Sequence, residues 1–261
     1  MSKSELRRNR GTTQLPNNTS LVKKTQNEFE LILTSDWHCG SNFCDYDGLR
    51  EMIRFIKEDP RRRVIIGGDQ MECAVPGEKD GGRDSDSEID AQIIRTARAL
   101  EPIKKQIDLI HGGNHGAPRT VSKAGMDPDL LLSGFLNVDY SVVPRVVQYV
   151  SSKGTVKVCS GHGTSAAANW RTQVLKLQAI YPGLDCYVLG HDHSLVAEQA
   201  GALVYDENGD EHWSPTWLCR SGSFLKYAGY ARYAMLSPKP TGFLVCKVQN
   251  GQIKGVEARR T

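Results

Sequence analysis

Apolar residues along this chain come in short runs that end in polar turns, and the runs alternate between the two-residue period of strands and the longer period of helices. Residues 28–33 are a strand-like run ending in Thr34-Ser35-Asp36-Trp37-His38. Leu49, Met52, Ile53 and Ile56 then recur at helical spacing, with Pro60 past the helix end. Residues 61–66 give the next strand, which runs into Gly67-Gly68-Asp69, where glycines permit a sharp turn. Residues 74–87 predict a long surface loop. Ser85 with Glu88 forms a candidate capping box for a helix with the stripe Ile89, Ile93, Ala97, Leu100 and Ile103. Residues 107–110 predict a third strand, which delivers His111-Gly112-Gly113-Asn114-His115, and Asp127-Pro128 predicts the cap and first turn of a helix reaching Leu136. Strand-rich sequence follows over 138–150 and 155–159, the latter ending in Ser160-Gly161-His162-Gly163. Trp170, Val174, Leu177 and Tyr181 make another helical stripe. The run Cys186-Tyr187-Val188-Leu189 predicts a buried strand, followed by Gly190-His191-Asp192-His193, and strands over 195–205, 216–222 and 241–258 complete the chain.

The plan is α/β, alternating at first and then mostly β, with each polar cluster at the C-terminal end of a strand, where open α/β sheets place their sites. With 261 residues, 39% hydrophobic and 24% charged, the chain can bury the core of one large domain or two small ones. No repeat or low-complexity linker divides it, so residues 28–261 are expected to form a single domain. No apolar run approaches membrane-spanning length and no signal core follows the charged start, which predicts a cytoplasmic protein without membrane contact. Seven scattered cysteines with no Cys-X-X-Cys spacing argue against a disulfide framework or a zinc knot. The net charge of +3 is unevenly placed: residues 1–24 hold Lys3, Arg7, Arg8, Arg10, Lys23 and Lys24 against Glu5, a local +5, leaving −2 for the rest. Residues 1–27 therefore predict a polar, disordered or loosely docked basic tail, either a nucleic-acid arm or simply solvated chain.

The chemistry centres on His191 and His193. In extended geometry, residues two apart point the same way, so both rings are expected to aim at one point, as metal ligands do; two solvated loop histidines are the alternative. Four other clusters shift that balance. Together the turns offer Asp36, His38, Asp69, Asn114, His162, His191 and His193, with His115 beside them. Carboxylate, amide and imidazole donors suit manganese foremost, or iron, zinc or nickel. Seven donors exceed one tetrahedral site but suit two ions sharing a carboxylate. Two such ions clamp the attacking and leaving oxygens of a displacement and lower the pKa of bound water towards ~7, giving hydroxide for attack. Phosphate-ester hydrolysis is the reaction that most needs both effects.

Asp36-Trp37-His38, Gly68-Asp69, Gly113-Asn114-His115, Gly161-His162 and Gly190-His191-Asp192-His193 resemble, in order, the five motifs of the calcineurin-like metallophosphoesterases. The resemblance covers roughly residues 28–225. It implies a four-layer α/β/β/α sandwich with two mixed sheets and a dinuclear site at the strand ends. It also implies that Asp36, His38 and His193 hold one ion, that Asn114, His162 and His191 hold the other, and that Asp69 bridges them. His115 would donate a proton to the leaving oxygen or stabilise charge, and Glu72 would orient it. Gly116 stands where the family commonly has an acidic residue, and Asp69-Gln70-Met71-Glu72-Cys73 lacks the Arg-Gly continuation of the Ser/Thr protein phosphatases. The arrangement is closer to the phosphodiesterase and nuclease branch.

The leading expectation is thus a two-metal phosphodiesterase acting on a nucleic acid, DNA or RNA, or on a nucleotide. A phosphomonoesterase for a metabolite or phosphoprotein is the alternative enzyme, and an inactive metal-bearing scaffold the alternative class. Arg119 and Arg171 are candidates for binding the phosphate. Cys39 is expected to pack, His111 to serve a structural or supporting role and His212 to be exposed. The aromatic and cationic residues of 224–233 can stack nucleobases, pack as a loop or contact another copy in a homo-oligomer.

Overall fold

The structure, a computed structural model, describes residues 20–75, 85, 88–164, 169–227, 231, 235 and 237–261. Two six-stranded mixed sheets lie face to face. One has the order β1 (Leu21–Lys24), β6 (Arg145–Ser151), β7 (Gly154–Gly161), β8 (Cys186–Leu189), β10 (Glu211–Ser221), β9 (Leu195–Tyr205). The other runs β12 (Gln252–Arg260), β11 (Gly242–Gln249), β2 (Glu28–Thr34), β3 (Arg63–Ile66), β4 (Ile107–His111), β5 (Tyr140–Ser141).

Three cores define four layers. Between the sheets, Leu31, Leu33, Ile65 and Leu109 of one meet Val147, Tyr149, Val158, Cys186 and Val188 of the other. Alternate residues face outward, as the two-residue period demands. Ile32, Val64, Ile66 and Ile110 pack against Leu49, Met52 and Ile56 of α1 (Tyr46–Glu58), Ile93 and Leu100 of α2 (Ile89–Leu100), and Leu132 and Leu136 of α4 (Pro128–Leu136). On the far side, Tyr187, Leu189 and Leu218 pack against Val174 and Leu177 of α5 (Arg171–Ile180). This is the four-layer α/β/β/α sandwich with two mixed sheets. Its central strands read as continuous apolar runs because both of their faces are covered. Among the described residues, no helix is long and apolar enough to cross a membrane.

Several local expectations change. Order begins before Glu28: residues 21–24 form β1, parallel to β6 from Leu21↔Val147 to Lys24↔Val150. An edge strand needs one partner, so the polar alternation Leu21-Val22-Lys23-Lys24 suffices, and Lys23 is held by Asp139 at 2.9 Å. Residues 1–19 lie outside the described residues. The Ser85 capping box does not form. Glu88 is the N-cap of α2 without a side-chain cap bond, and Ser85 instead makes an isolated bridge with Ser41 and accepts from Gln92 at 3.2 Å. The helix α3 (Ala117–Ala124) had no apolar stripe to reveal it, although Pro118 in its first turn and Gly125 at its left-handed C-cap were readable signals. Asp127 does cap α4, accepting from the Asp129 and Leu130 amides.

Candidate metal centre

Parallel β2, β3 and β4 end at one edge of their sheet, and parallel β7 and β8 end at the facing edge of the other. The five loops leaving these strands bring Asp36, His38, Asp69, Asn114, His115, His162, His191 and His193 together. Hydrogen bonds tie the sheets at this end: Ser35 Oγ and Ser221 Oγ lie 2.7 Å apart, His111 Nε2 and Ser160 Oγ 2.9 Å, and His162 Nδ1 donates to the Gly67 carbonyl at 2.8 Å.

The backbone is strained where the candidate ligands sit. Asp36, His38, Asp69, His191 and His193 all have positive φ, between 51° and 74°. Each such residue costs on the order of 1–3 kcal/mol, and this is tolerated only where surrounding bonds dictate it. They do here: Asp36 N–H donates to Gly68 O at 2.9 Å, His38 N–H to Asp69 O at 3.0 Å, and Phe224 N–H to Asp36 O at 2.9 Å. Gly113 lets Asp69 enter, since a Cβ at 113 would overlap the Asp69 carboxylate. These left-handed turns correct one expectation. His191 and His193 are not in extended geometry, and their rings diverge to separate groups of donors.

One group is Asp36, His38 and His193. His38 Nε2 and His193 Nε2 are 3.3 Å apart, and Asp36 Oδ1 is 3.4 Å from His193 Nε2. The second is Asp69, His162 and His191, with Asn114 Oδ1 lying 2.8 Å from His162 Nε2 and 2.7 Å from His191 Nδ1. Asp69 also groups with His38 and His115, so its carboxylate stands between the two sets. Its Oδ2 is 3.2 Å from His162 Nε2, while its Oδ1 accepts from the His115 amide at 2.8 Å.

The charges are mutually dependent. Burial would raise the Asp36 pKa, but His193 and His162 outweigh it and hold it at about 2. Burial likewise opposes ionisation of Asp69, yet His162 and His115 keep that carboxylate well below its ordinary range. Burial and the neighbouring His115 lower His38, and burial and His162 lower His191, which leaves both imidazoles neutral with lone pairs available. His162 goes the other way. Despite burial, Asp69 raises it to about 9.

Glu72 does more than the sequence suggested. Its Oε2 accepts from His38 Nδ1 at 2.9 Å, and its Oε1 lies 3.2 Å from His115 Nδ1 and 3.2 Å from Arg119 Nη1. It thus fixes the tautomer of a candidate ligand as well as the orientation of His115. Arg119 Nη2 is 2.8 Å from His115 Nε2. In this arrangement Nε2 accepts from the guanidinium and the ring proton sits on Nδ1 towards Glu72. Arg119 must swing aside before Nε2 can carry a proton.

Arg171 is turned elsewhere. It pairs with Glu198 and stacks near Trp170 without reaching the donors. Cys39 is buried in the helix-side core, and Phe224 is buried and stacked on Phe243, so neither offers its side chain to a ligand. His212 is exposed on β10. Residues 228–230, 232 and 233 of the aromatic and cationic run lie outside the described residues. Sequence reasoning missed Arg220, whose side chain is fully buried. It donates to Gly190 O at 2.7 Å and Trp170 O at 3.1 Å and lies 3.4 Å from Asp192 Oδ2, bracing the His191-Asp192-His193 loop. A lone arginine in a strand run carries no sequence signal for that role.

The donors fit divalent cations. Asp36 Oδ1 is buried with no hydrogen-bond partner among the described residues, and such an orphaned carboxylate oxygen is costly unless a cation meets it. The His38 and His191 rings, kept neutral, and the Asn114 amide oxygen add further donor atoms around it and Asp69. These buried Asp and His clusters can bind metals. A mixed nitrogen and oxygen set without thiolate is the chemistry of borderline first-row ions.

No protein-family model matches the chain, and no curated relative does. Among solved structures, vacuolar protein sorting 29 from Cryptosporidium parvum is similar with a TM-score of 0.47 and 14% identity, covering 90% of this chain and 100% of that one. Wild-type Vps29 complexed with zinc from Entamoeba histolytica gives a TM-score of 0.44 and 10% identity over 89% of this chain and 98% of that one. The calcineurin-like phosphoesterase YfkN from Bacillus subtilis gives 0.40 and 14% over 89% and 91%. The structural neighbours of the chain are thus Vps29 proteins and calcineurin-like phosphoesterases, at low sequence identity.

Proposed function

We propose that the chain is a two-metal phosphodiesterase acting on a nucleic acid or nucleotide. The observation that carries this reading is Asp69: one buried carboxylate standing between two complete donor groups. Asp36, His38 and His193 would hold one ion, Asn114, His162 and His191 the other, and Asp69 would bridge them, with manganese foremost among the ions such donors suit. The chemistry a pair of such ions supplies is activation of water and neutralisation of phosphoryl charge. The chain's own contribution is orientation. Glu72 holds His38 so that Nε2 faces the centre, and the Gly67 carbonyl does the same for His162. Asp36 Oδ2, accepting from the His191 amide at 2.8 Å, locks the His191 turn against the β2 loop.

His115 sits beside the bridging carboxylate and is held by Glu72. A phosphate arriving here would compete for Arg119, because a guanidinium binds a phosphate dianion or diester oxygen more strongly than a neutral imidazole. Once Arg119 turns to the phosphate, His115 Nε2 is released to hold a proton at the leaving oxygen.

The test is a turnover panel on metal-reconstituted protein comparing bis(p-nitrophenyl) phosphate, p-nitrophenyl phosphate, cyclic nucleotides, and single- and double-stranded DNA. Diester turnover should exceed monoester turnover. A clear monoester preference would replace this reading with a phosphomonoesterase. Two tightly bound ions with no turnover would replace it with a metal-bearing scaffold.

A further inference from the structure

The turn that carries Asn114 and His115 is gripped from two sides. Asp69 Oδ1, in the loop after β3, accepts from the His115 amide at 2.8 Å. On the other side of Asn114, the Gly113 amide donates to Asp129 Oδ2 at 3.2 Å. Asn114 therefore sits between two peptide groups whose N–H bonds are both held by carboxyl groups. That fixes the direction of its side chain, whose Oδ1 lies 2.8 Å from His162 Nε2 and 2.7 Å from His191 Nδ1. Asp69 has a place in the centre as the group between the two donor sets. Asp129 has none: it belongs to no donor group, it lies 16 residues beyond Gly113, and it is buried.

The surroundings deliver that carboxyl to one place. Asp129 is the second residue of α4, and the cap of that helix, Asp127, is itself held by Tyr140 OH at 2.7 Å. Thr120 N–H donates to the Gly116 carbonyl at 3.2 Å and Thr120 Oγ1 to the Met126 carbonyl at 2.6 Å, which ties the far end of the turn to the lead into α4. Gly116 completes the fit. A Cβ at 116 would fall 2.1 Å from Asp129 Oδ2, far inside any tolerable contact. The carboxyl thus fills the space within the turn that a side chain at 116 would need. Where the resembled family commonly has an acidic residue, this chain has glycine, and the acid inside the turn comes from α4 instead.

We propose that Asp129 is a positioning residue of the metal centre: its carboxyl, brought by α4 into the space that Gly116 leaves open, grips the Gly113 amide and so aims Asn114 at the ion it shares with His162 and His191. This rests on the two-metal reading and deepens it by adding a support outside the ligand set. Removing a group that orients a ligand typically costs about 10–100-fold in metal affinity.

The experiment titrates Mn²⁺ into the full chain by calorimetry, with no ester present. Two backgrounds isolate the ions: His193→Ala leaves the Asn114 side, and His162→Ala leaves the Asp36 side. In the first background Asp129→Ala should weaken Mn²⁺ binding by about 10–100-fold, and in the second it should leave the affinity alone. Asp129→Asn keeps an oxygen for the Gly113 amide and should retain most of the affinity. Asp129→Leu keeps the volume without an acceptor and should match the alanine loss, which a packing role would not produce. Once Asn114→Ala has been made, Asp129→Ala should cost little more, because its effect runs through Asn114. Ser133→Ala, buried one turn further along α4, is the control and should change neither ion. Gly116→Ala drives a methyl onto the carboxyl and should weaken the same ion as Asp129→Ala, so it carries the test if that variant does not fold. Equal losses at both ions, unchanged affinity in both Asp129→Ala and Gly116→Ala, or full additivity with Asn114→Ala would overturn the assignment. Loss confined to the Asn114 side in a chain that cleaves no ester would keep the positioning role and sink the phosphodiesterase. Unchanged affinities in a chain that cleaves diesters would do the reverse.

Discussion

His38 Nε2 and His193 Nε2 face each other at 3.3 Å across an unpaired oxygen of Asp36, although 155 residues separate the two histidines. Three donor atoms from distant parts of the chain converge there, and a cation would meet all of them at once. Adding Mn²⁺ or Zn²⁺ should therefore stabilise the fold, by about 2.7 kcal/mol at a hundredfold excess over the dissociation constant, and a chelator should reverse the gain. Thermal melts with and without metal check this. Elemental analysis should show that His193→Ala and His162→Ala each lose about one of two equivalents.

Asp69→Asn should reduce occupancy at both positions. A carboxylate neutralises and spaces two dications where an amide cannot. Retention of two full equivalents would remove Asp69 from the bridging role.

His115→Ala should keep both ions and lose about 10²–10⁴-fold on DNA, where the leaving alkoxide needs a proton. It should lose far less on a p-nitrophenyl ester, whose phenolate departs unprotonated. Glu72→Gln should differ in kind, because Glu72 also grips His38: it should weaken metal affinity, by about 10–100-fold, as well as slow turnover. Single-turnover rates and metal titrations separate the two. Loss of an ion from His115→Ala would place His115 among the ligands.

Arg220→Met should destabilise by about 3–5 kcal/mol, since it leaves Asp192 buried without its cationic partner. Adding Asp192→Asn should recover part of that loss, and the pair should be clearly less than additive in denaturant unfolding. Full additivity would show that Arg220 acts through packing alone.

His111 gives a pH dependence with a definite sign. Burial lowers its pKa from 6.5 to about 3, so the unfolded chain binds a proton there that the folded chain refuses. The neutral form is required, and its contribution is complete above pH 6.5 and lost as pH falls from there towards 3. Acidifying from pH 7 to 5 should cost about 2 kcal/mol through this residue. His111→Gln should flatten that part of the stability profile, whatever it does to stability at pH 7.

The sequence by itself determined the elements and the ligand types. Strand runs such as 107–110 and 186–189 and helical stripes such as Leu49, Met52 and Ile56 are visible because burial against a sheet or helix leaves a short-range period. The donors were legible for a related reason: Asp36, Asp69, Asn114, His162 and His191 each end an apolar run, and strand ends are where a sheet leaves backbone free to build a site. The polar edge strand β1 left too little apolar signal, and α3 had no stripe at all.

Tertiary structure alone decided the pairings. Whether His191 and His193 share a target depends on their φ values, and bonds from the β2 loop and from Arg220, distant in sequence, hold the chain in the left-handed turns that send the rings apart. The second grip of Glu72, on His38, depends on how the β2 and β3 loops pair, and the turning away of Arg171 depends on Glu198 one strand over. Periodicity is set by near neighbours and can be read along a chain, whereas a side chain's partner is set by whatever the fold brings opposite it.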